Sequence, residues 1–183
     1  MLRDEVSEDI LFSENDVWHN LFCDARSSPA RLAAVLKLYN GQCLYTDMAP
    51  TEAMETKFLR KDAGDKNILA VELLSIVLGI STFLTYLRGK CVQIWSDNTG
   101  AEGSLRKGVG AKDELNSAIH QFWVVAAREK FGVYIDRVPT EVNIADGPSR
   151  EDYGLISKAI GAQWVKPIVL DAFLADPEVP SFQ

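Results

Sequence analysis

Short apolar runs broken by turn residues open the ordered part of the chain, and longer helical stretches follow. Val17 to Asp24, Arg31 to Tyr39 and Gln42 to Thr46 each read as strands, with Asn40-Gly41 between the last two. Asn-Gly flanked by apolar alternation is the strongest short signal for a hairpin, so the three runs predict an antiparallel meander. A polar loop, Asp47 to Asn67, leads to an apolar run from Ile68 to Leu87 that contains Glu72, Ser75, Ser81, Thr82 and Thr85. Its length and polar insertions predict a helix buried against a sheet and not a membrane span.

Gly89 closes that helix, and Lys90 to Ser96 reads as a strand. Thr99 to Lys107 predicts a short helix ended by Gly108-Val109-Gly110, and Asp113 to Lys130 a longer one with an acidic first turn. Val133 to Val138 is the last predicted strand, stopped by Pro139, and a final helix is expected over Asp152 to Ile160. Three antiparallel strands followed by alternating helix and strand describe an α/β fold: a five-stranded mixed sheet with helices on both faces. The expected division is an acidic tail or linker over residues 1–17, one domain over 18–165, and a proline-broken tail over 166–183.

With 183 residues, 47% of them hydrophobic and 25% charged, the chain suits a single core burying roughly 70% of its unfolded surface. The net charge of −7 excludes a protein that grips nucleic acid by bulk electrostatics, so any such contact must be local or assisted by cations. Cys23, Cys43 and Cys91 are odd in number and each sits in an apolar run, which predicts reduced core thiols and a cytoplasmic or nuclear setting. The stretch Asp4 to Glu14 lacks the basic and apolar regions of a signal peptide.

Four acids stand at chemically useful places: Asp24 and Asp97 at the ends of predicted strands, Glu72 early in the apolar helix, and Asp146 before the last helix. Taken singly, each is an ordinary turn or capping residue. If the two strands are neighbours, however, the acids converge at one edge of the sheet. Clustered carboxylates repel one another and raise their own pKa values unless a cation neutralises them. Oxygen-only ligands favour Mg²⁺ or Mn²⁺. Two such ions roughly 4 Å apart can activate water and stabilise a leaving oxygen in phosphodiester hydrolysis. Asp47, ending Leu44-Tyr45-Thr46-Asp47, competes with Asp24 for the first position, but only Asp24 leaves two further strands before the helix.

Leu69-Ala70-Val71-Glu72-Leu73-Leu74, Trp95-Ser96-Asp97-Asn98-Thr99-Gly100-Ala101, and Arg137-Val138-Pro139-Thr140 leading to Asn143-Ile144-Ala145-Asp146 and Ser149-Arg150 together resemble the ribonuclease H domain of retrotransposon reverse transcriptases, of the long-terminal-repeat or tyrosine-recombinase type. The resemblance spans about Leu21 to Arg150. It implies a ribonuclease H-like fold, with Asp24, Glu72, Asp97 and Asp146 as catalytic residues holding two Mg²⁺ ions (Mn²⁺ possible). The implied reaction is hydrolysis of the RNA strand of RNA/DNA hybrids, and a polymerase domain is an implied partner. Asn98, Thr99, Arg106, Lys107 and Asn143 are candidates for contacting substrate. The chain departs from the pattern in three ways. Ala25-Arg26-Ser27-Ser28-Pro29 replaces the usual glycine-rich turn, Arg137 to Asn143 contains no histidine, and only a few residues separate the two middle helices, leaving no room for a basic protrusion. A catalytically silent interaction or nucleic-acid-binding module on the same fold is the competing expectation. His19 and His120 are expected to be structural.

Overall fold

The computed structural model describes residues 17–60, 67–110 and 113–175. Residues 1–16 of the acidic tail, residues 61–66 of the loop before the apolar helix, residues 111 and 112, and the segment 176–183 therefore lie outside the described residues.

The chain begins with β1 (Trp18–Ser27), β2 (Ala30–Lys37) and β3 (Cys43–Met48), an antiparallel meander as the alternation and Asn40-Gly41 predict. At the hairpin the Gly41 N–H donates to the Leu38 carbonyl at 2.9 Å with φ +88°, a conformation that glycine adopts without strain. Four helices, α1 (Glu52–Phe58), α2 (Ile68–Thr82), α3 (Leu84–Leu87) and α4 (Thr99–Lys107), surround β4 (Cys91–Ser96) in chain order. Then come α5 (Asp113–Arg128), β5 (Gly132–Arg137), a one-turn 3₁₀ helix (Thr140–Val142), α6 (Asp146–Ser149), a π-type turn (Gly154–Ala159), β6 (Gln163–Trp164) and α7 (Asp171–Leu174).

The sheet order is β5-β4-β1-β2-β3-β6, with β4 and β5 parallel to β1. It has six strands where five were expected. The addition is β6, two residues pairing parallel with Leu44 and Tyr45, too short to leave a period in the sequence. Helix α1 lies in what reads as loop. Thr51 caps it by accepting from the Met54 N–H at 3.3 Å, and Met54 and Phe58 are buried one turn apart. The apolar run is not one helix, since α2 ends at Thr82 and the chain turns at the fully buried Phe83 before α3. The helix expected over Asp152 to Ile160 is present over Gly154–Ala159, wound as a π-type turn and not as an α-helix, and the short α6 precedes it.

Almost all of α2 is buried because it packs on β1 and β2 and is itself covered by α4 and α5. At Gly79 a Cβ would come within 3.0 Å of the Ala34 Cβ, so glycine lets helix and sheet approach closely. The main core lies on this face, drawing Leu21, Cys23, Leu32, Leu36, Leu74, Leu78, Ile94 and Phe122 together. A smaller cluster of Val35, Cys43, Ala145, Ile156 and Ala162 packs on the opposite face, where the segment carrying α6 and the π-type turn covers the sheet. Residues up to Ala175 fold back onto the main core. Thr82 Oγ1 donates to the Ile168 carbonyl at 3.2 Å, and Phe173 is buried beside α1 and α5.

All three cysteines are buried. His19 is buried too, its Nδ1 accepting from the Tyr39 N–H at 3.1 Å, and burial holds its pKa below the usual value. Among the described residues no helix is long and apolar enough to cross a membrane.

Candidate metal centre

β1 and β4 run parallel side by side, with Phe22 opposite Trp95, so residues just beyond that pair meet at the carboxyl ends of the strands. Asp24 stands two residues past Phe22 and Asp97 two residues past Trp95, which makes them neighbours. Ligands of α/β sheets commonly bind in the crevice at such strand ends. The sequence predicts that Asp24 ends its strand, but β1 continues to Ser27 because Ala25, Arg26 and Ser27 pair with the start of β2. Glu72 arrives from the other direction. It lies one turn into α2, whose first residues overhang the same edge, and the backbone of Ala25 hydrogen-bonds its carboxylate.

One carboxylate oxygen from each of Asp24, Glu72 and Asp97 lies within 4.8 Å of the others. Glu72 is 4% exposed, and its Oε2 is buried without a hydrogen-bond partner. An unpaired buried acceptor on a carboxylate grouped with two others is costly by itself and well suited to a cation. The electrostatics agree. Burial, then Asp24 and Asp97, push the Glu72 carboxyl up to about 9, and burial raises Asp24 to about 6 against a hydrogen bond from Ser149 and the nearby Arg150 guanidinium. Asp24, Glu72 and Asp97 offer a set of carboxylate oxygens that could hold a hard divalent cation. Cys23, beside the cluster, is no nucleophile, because burial and the charges of Glu72 and Asp24 push its thiol well above the ordinary range.

Asp146 begins α6 next to this group without joining it. Its charge is felt by Asp24, but its Oδ1 accepts from Arg150 Nε at 2.7 Å. The other candidates divide. Asn98 Oδ1 caps α4 by accepting from the Ala101 N–H at 2.9 Å, and Thr99 is exposed beside it at the site's edge. Arg106 and Lys107 sit at the far end of α4, about 11 Å along the axis from Thr99, with Arg106 paired to Glu102 at 2.8 Å. Asn143, assigned to substrate from the sequence, is turned inward. Its Nδ2 donates to the Cys23 carbonyl at 3.0 Å, and its Oδ1 accepts from the Ala145 N–H at 3.2 Å, which ties the α6 segment to β1.

Asp47 is placed away from the cluster. Register aligns Asp24, Ala33 and Asp47 across three strands, so both acids share a sheet face two strands apart. There Asp47 is buried in an ion pair with Arg31, accepts from Tyr153 Oη at 2.8 Å and from Trp164 Nε1 at 3.3 Å, and so fastens β6 and the residues after α6 to the sheet. One contributor went unread in the sequence: Ser149, whose Oγ donates to Asp24 Oδ2. The motif Asp146-Gly147-Pro148-Ser149-Arg150 drew attention to this stretch, but nothing in it says that the hydroxyl faces β1.

By sequence the chain matches no protein-family profile and no curated protein. Solved structures do match. The N-terminal ribonuclease H domain of Rv2228c from Mycobacterium tuberculosis, solved as a fusion with maltose-binding protein, aligns at a TM-score of 0.53 and 14% identity, covering 78% of this chain and 98% of that one. A ribonuclease H1 isolated from compost by a metagenomic approach aligns at 0.51 and 16% identity, covering 80% and 99%. This chain covers both almost whole, and its mixed sheet has its first three strands antiparallel; the chain therefore has a ribonuclease H-like fold.

Proposed function

We propose that this protein is a metal-dependent ribonuclease H that hydrolyses the RNA strand of RNA/DNA hybrids by a two-metal mechanism. The observation that carries the reading is the convergence of Asp24, Glu72 and Asp97, one carboxylate oxygen of each within 4.8 Å of the others, together with a buried Glu72 Oε2 that has no hydrogen-bond partner. Structural cores seldom gather three acids without neutralising them, whereas sites of chemistry do. Asp24, Glu72 and Asp97 would hold a first divalent cation, Mg²⁺ or Mn²⁺, and Asp24 with Asp146 a second. Such ions, when bound, supply the positive charge and the activated water for in-line displacement at phosphorus. The residues of the chain do the rest. Ser149 orients Asp24, burial of Glu72 keeps competing water from its carboxylate, and Asn98 and Thr99 stand at the rim where a sugar or phosphate would lie.

The motifs around Glu72, Asp97 and Asp146 support derivation from a retroelement reverse transcriptase, with a polymerase domain as partner and a cytoplasmic or nuclear place of work. A silent binding module is favoured only by the net charge of −7 and by the short link between α4 and α5. The test is cleavage of an end-labelled RNA/DNA hybrid, beside single-stranded RNA, double-stranded RNA and DNA duplex, in Mg²⁺ and in Mn²⁺. Hybrid-specific cutting that disappears in Asp97→Asn is the expected result. Absence of cutting at high protein concentration in both metals would overturn the enzyme in favour of the module.

A further inference from the structure

Arg150 is the cation already present beside the acidic cluster. Its Nε lies 2.7 Å from Asp146 Oδ1, and its charge also acts on Asp24 and Asp97. The backbone around it is held firmly. The Arg150 N–H donates to the Asp146 and Gly147 carbonyls, and the Asp152 N–H closes back on the Gly147 carbonyl at 2.9 Å. A Cβ on Gly147 would come within 2.6 Å of the Asp152 carbonyl oxygen. Glu151 takes a left-handed φ of +63° and bridges Arg26 and Arg31, while Ser149 is fastened to Asp24. With the turn fixed, the side chain of Arg150, 62% exposed, is the part left to move.

We propose that Arg150 is an exchangeable counter-ion that competes with divalent cations for Asp146 and gives that carboxylate up when a substrate phosphodiester draws its guanidinium away. The exposed pair is weak enough to exchange, since such i,i+4 ion pairs contribute little in water. A planar guanidinium beside a cluster where a phosphate would lie is suited to bidentate phosphate contact. Filling of the fourth acid is thereby linked to the presence of substrate, and the metal-free cluster keeps a positive charge in reach. This rests on the metal-centre reading above.

The test is calorimetric titration of the full chain, freed of metal by chelation, with Mn²⁺ alone, for wild type, Arg150→Ala, Arg150→Lys, Asp146→Asn and the Asp146→Asn/Arg150→Ala double variant, with folding checked by circular dichroism. Arg150→Ala is expected to bind Mn²⁺ roughly three- to tenfold more tightly than wild type or to show an added site, and Arg150→Lys to stay within about twofold. The gain should vanish in the double variant relative to Asp146→Asn. In hybrid cleavage at saturating Mn²⁺, Arg150→Ala should raise KM roughly tenfold with kcat little changed. Wild-type binding with no gain in Arg150→Ala, or a gain that survives in the double variant, overturns the competition while leaving the metal centre intact. An unchanged KM overturns the link to substrate. Failure of every variant to bind Mn²⁺ overturns both this proposal and the metal centre.

Discussion

Replacing Glu72 with Gln should destroy metal-dependent activity and at the same time make the metal-free protein more stable. The folded state holds the Glu72 carboxyl at about 9 against an unfolded value of 4.5, chiefly because it is buried. Because the folded pKa is the higher, the folded state binds an extra proton between those values. Stability is therefore fully present below about 4.5 and is lost as pH rises toward 9. At pH 7 the chain has climbed 2.5 units of that window, worth about 3 kcal/mol at about 1.4 kcal/mol per unit. Glutamine resembles the protonated acid, and its amide can donate to Asp24 or Asp97, so most of this penalty is removed. For a chain of this length the gain corresponds to a Tm rise of about 6–12 °C. Thermal unfolding followed by circular dichroism in EDTA at pH 5, 7 and 8 checks it. The gain should shrink to about 1 kcal/mol or less at pH 5, and Mg²⁺ should stabilise wild type at pH 8 but not the variant. A Glu72→Gln protein no more stable than wild type at pH 7 and 8 without metal would refute the argument that this acid is held at an energetic cost for a cation.

Asp97→Asn should lower hybrid cleavage by more than the roughly 10–100-fold that loss of an outer-shell partner costs, with little change in Tm; turnover and melting measured on one preparation decide it. Gly147→Ala forces a Cβ toward the Asp152 carbonyl and should cost about 1–3 kcal/mol in denaturant unfolding, with a fall in activity because Ser149 and Arg150 ride on the same turn. Phe173→Ala should cost about 3 kcal/mol or more by urea denaturation, since the ring is buried beside α1 and α5; a cost below about 1 kcal/mol would mean that the segment around α7 contributes little to the core.

What the sequence by itself determined is local. Asn40-Gly41 and its alternating flanks specify the meander, glycine and capping signals bound α4, and the apolar run announces a buried helix carrying one acid. These signals are legible because they depend on neighbours within a few residues. The break at Phe83, the two-residue β6 and the short α1 are harder to read, because fewer than two periods of pattern cannot be told from loop. The sequence nominated the acids, and tertiary structure decided which of them meet. Asp24 and Asp97 are 73 positions apart and meet only because β4 lies parallel to β1, whereas Asp47, with an equally strand-like setting, is two strands away and taken up by Arg31. Asn143, Ser149 and Arg150 are polar residues in a short, irregular segment. Folding that segment onto the second face of the sheet turns Asn143 onto the Cys23 carbonyl and Ser149 onto Asp24, whereas Arg150 meets Asp146 within the segment itself. The direction in which a side chain points from an irregular turn is set by what the turn packs against, and for Asn143 and Ser149 that partner lies more than a hundred residues away in the chain.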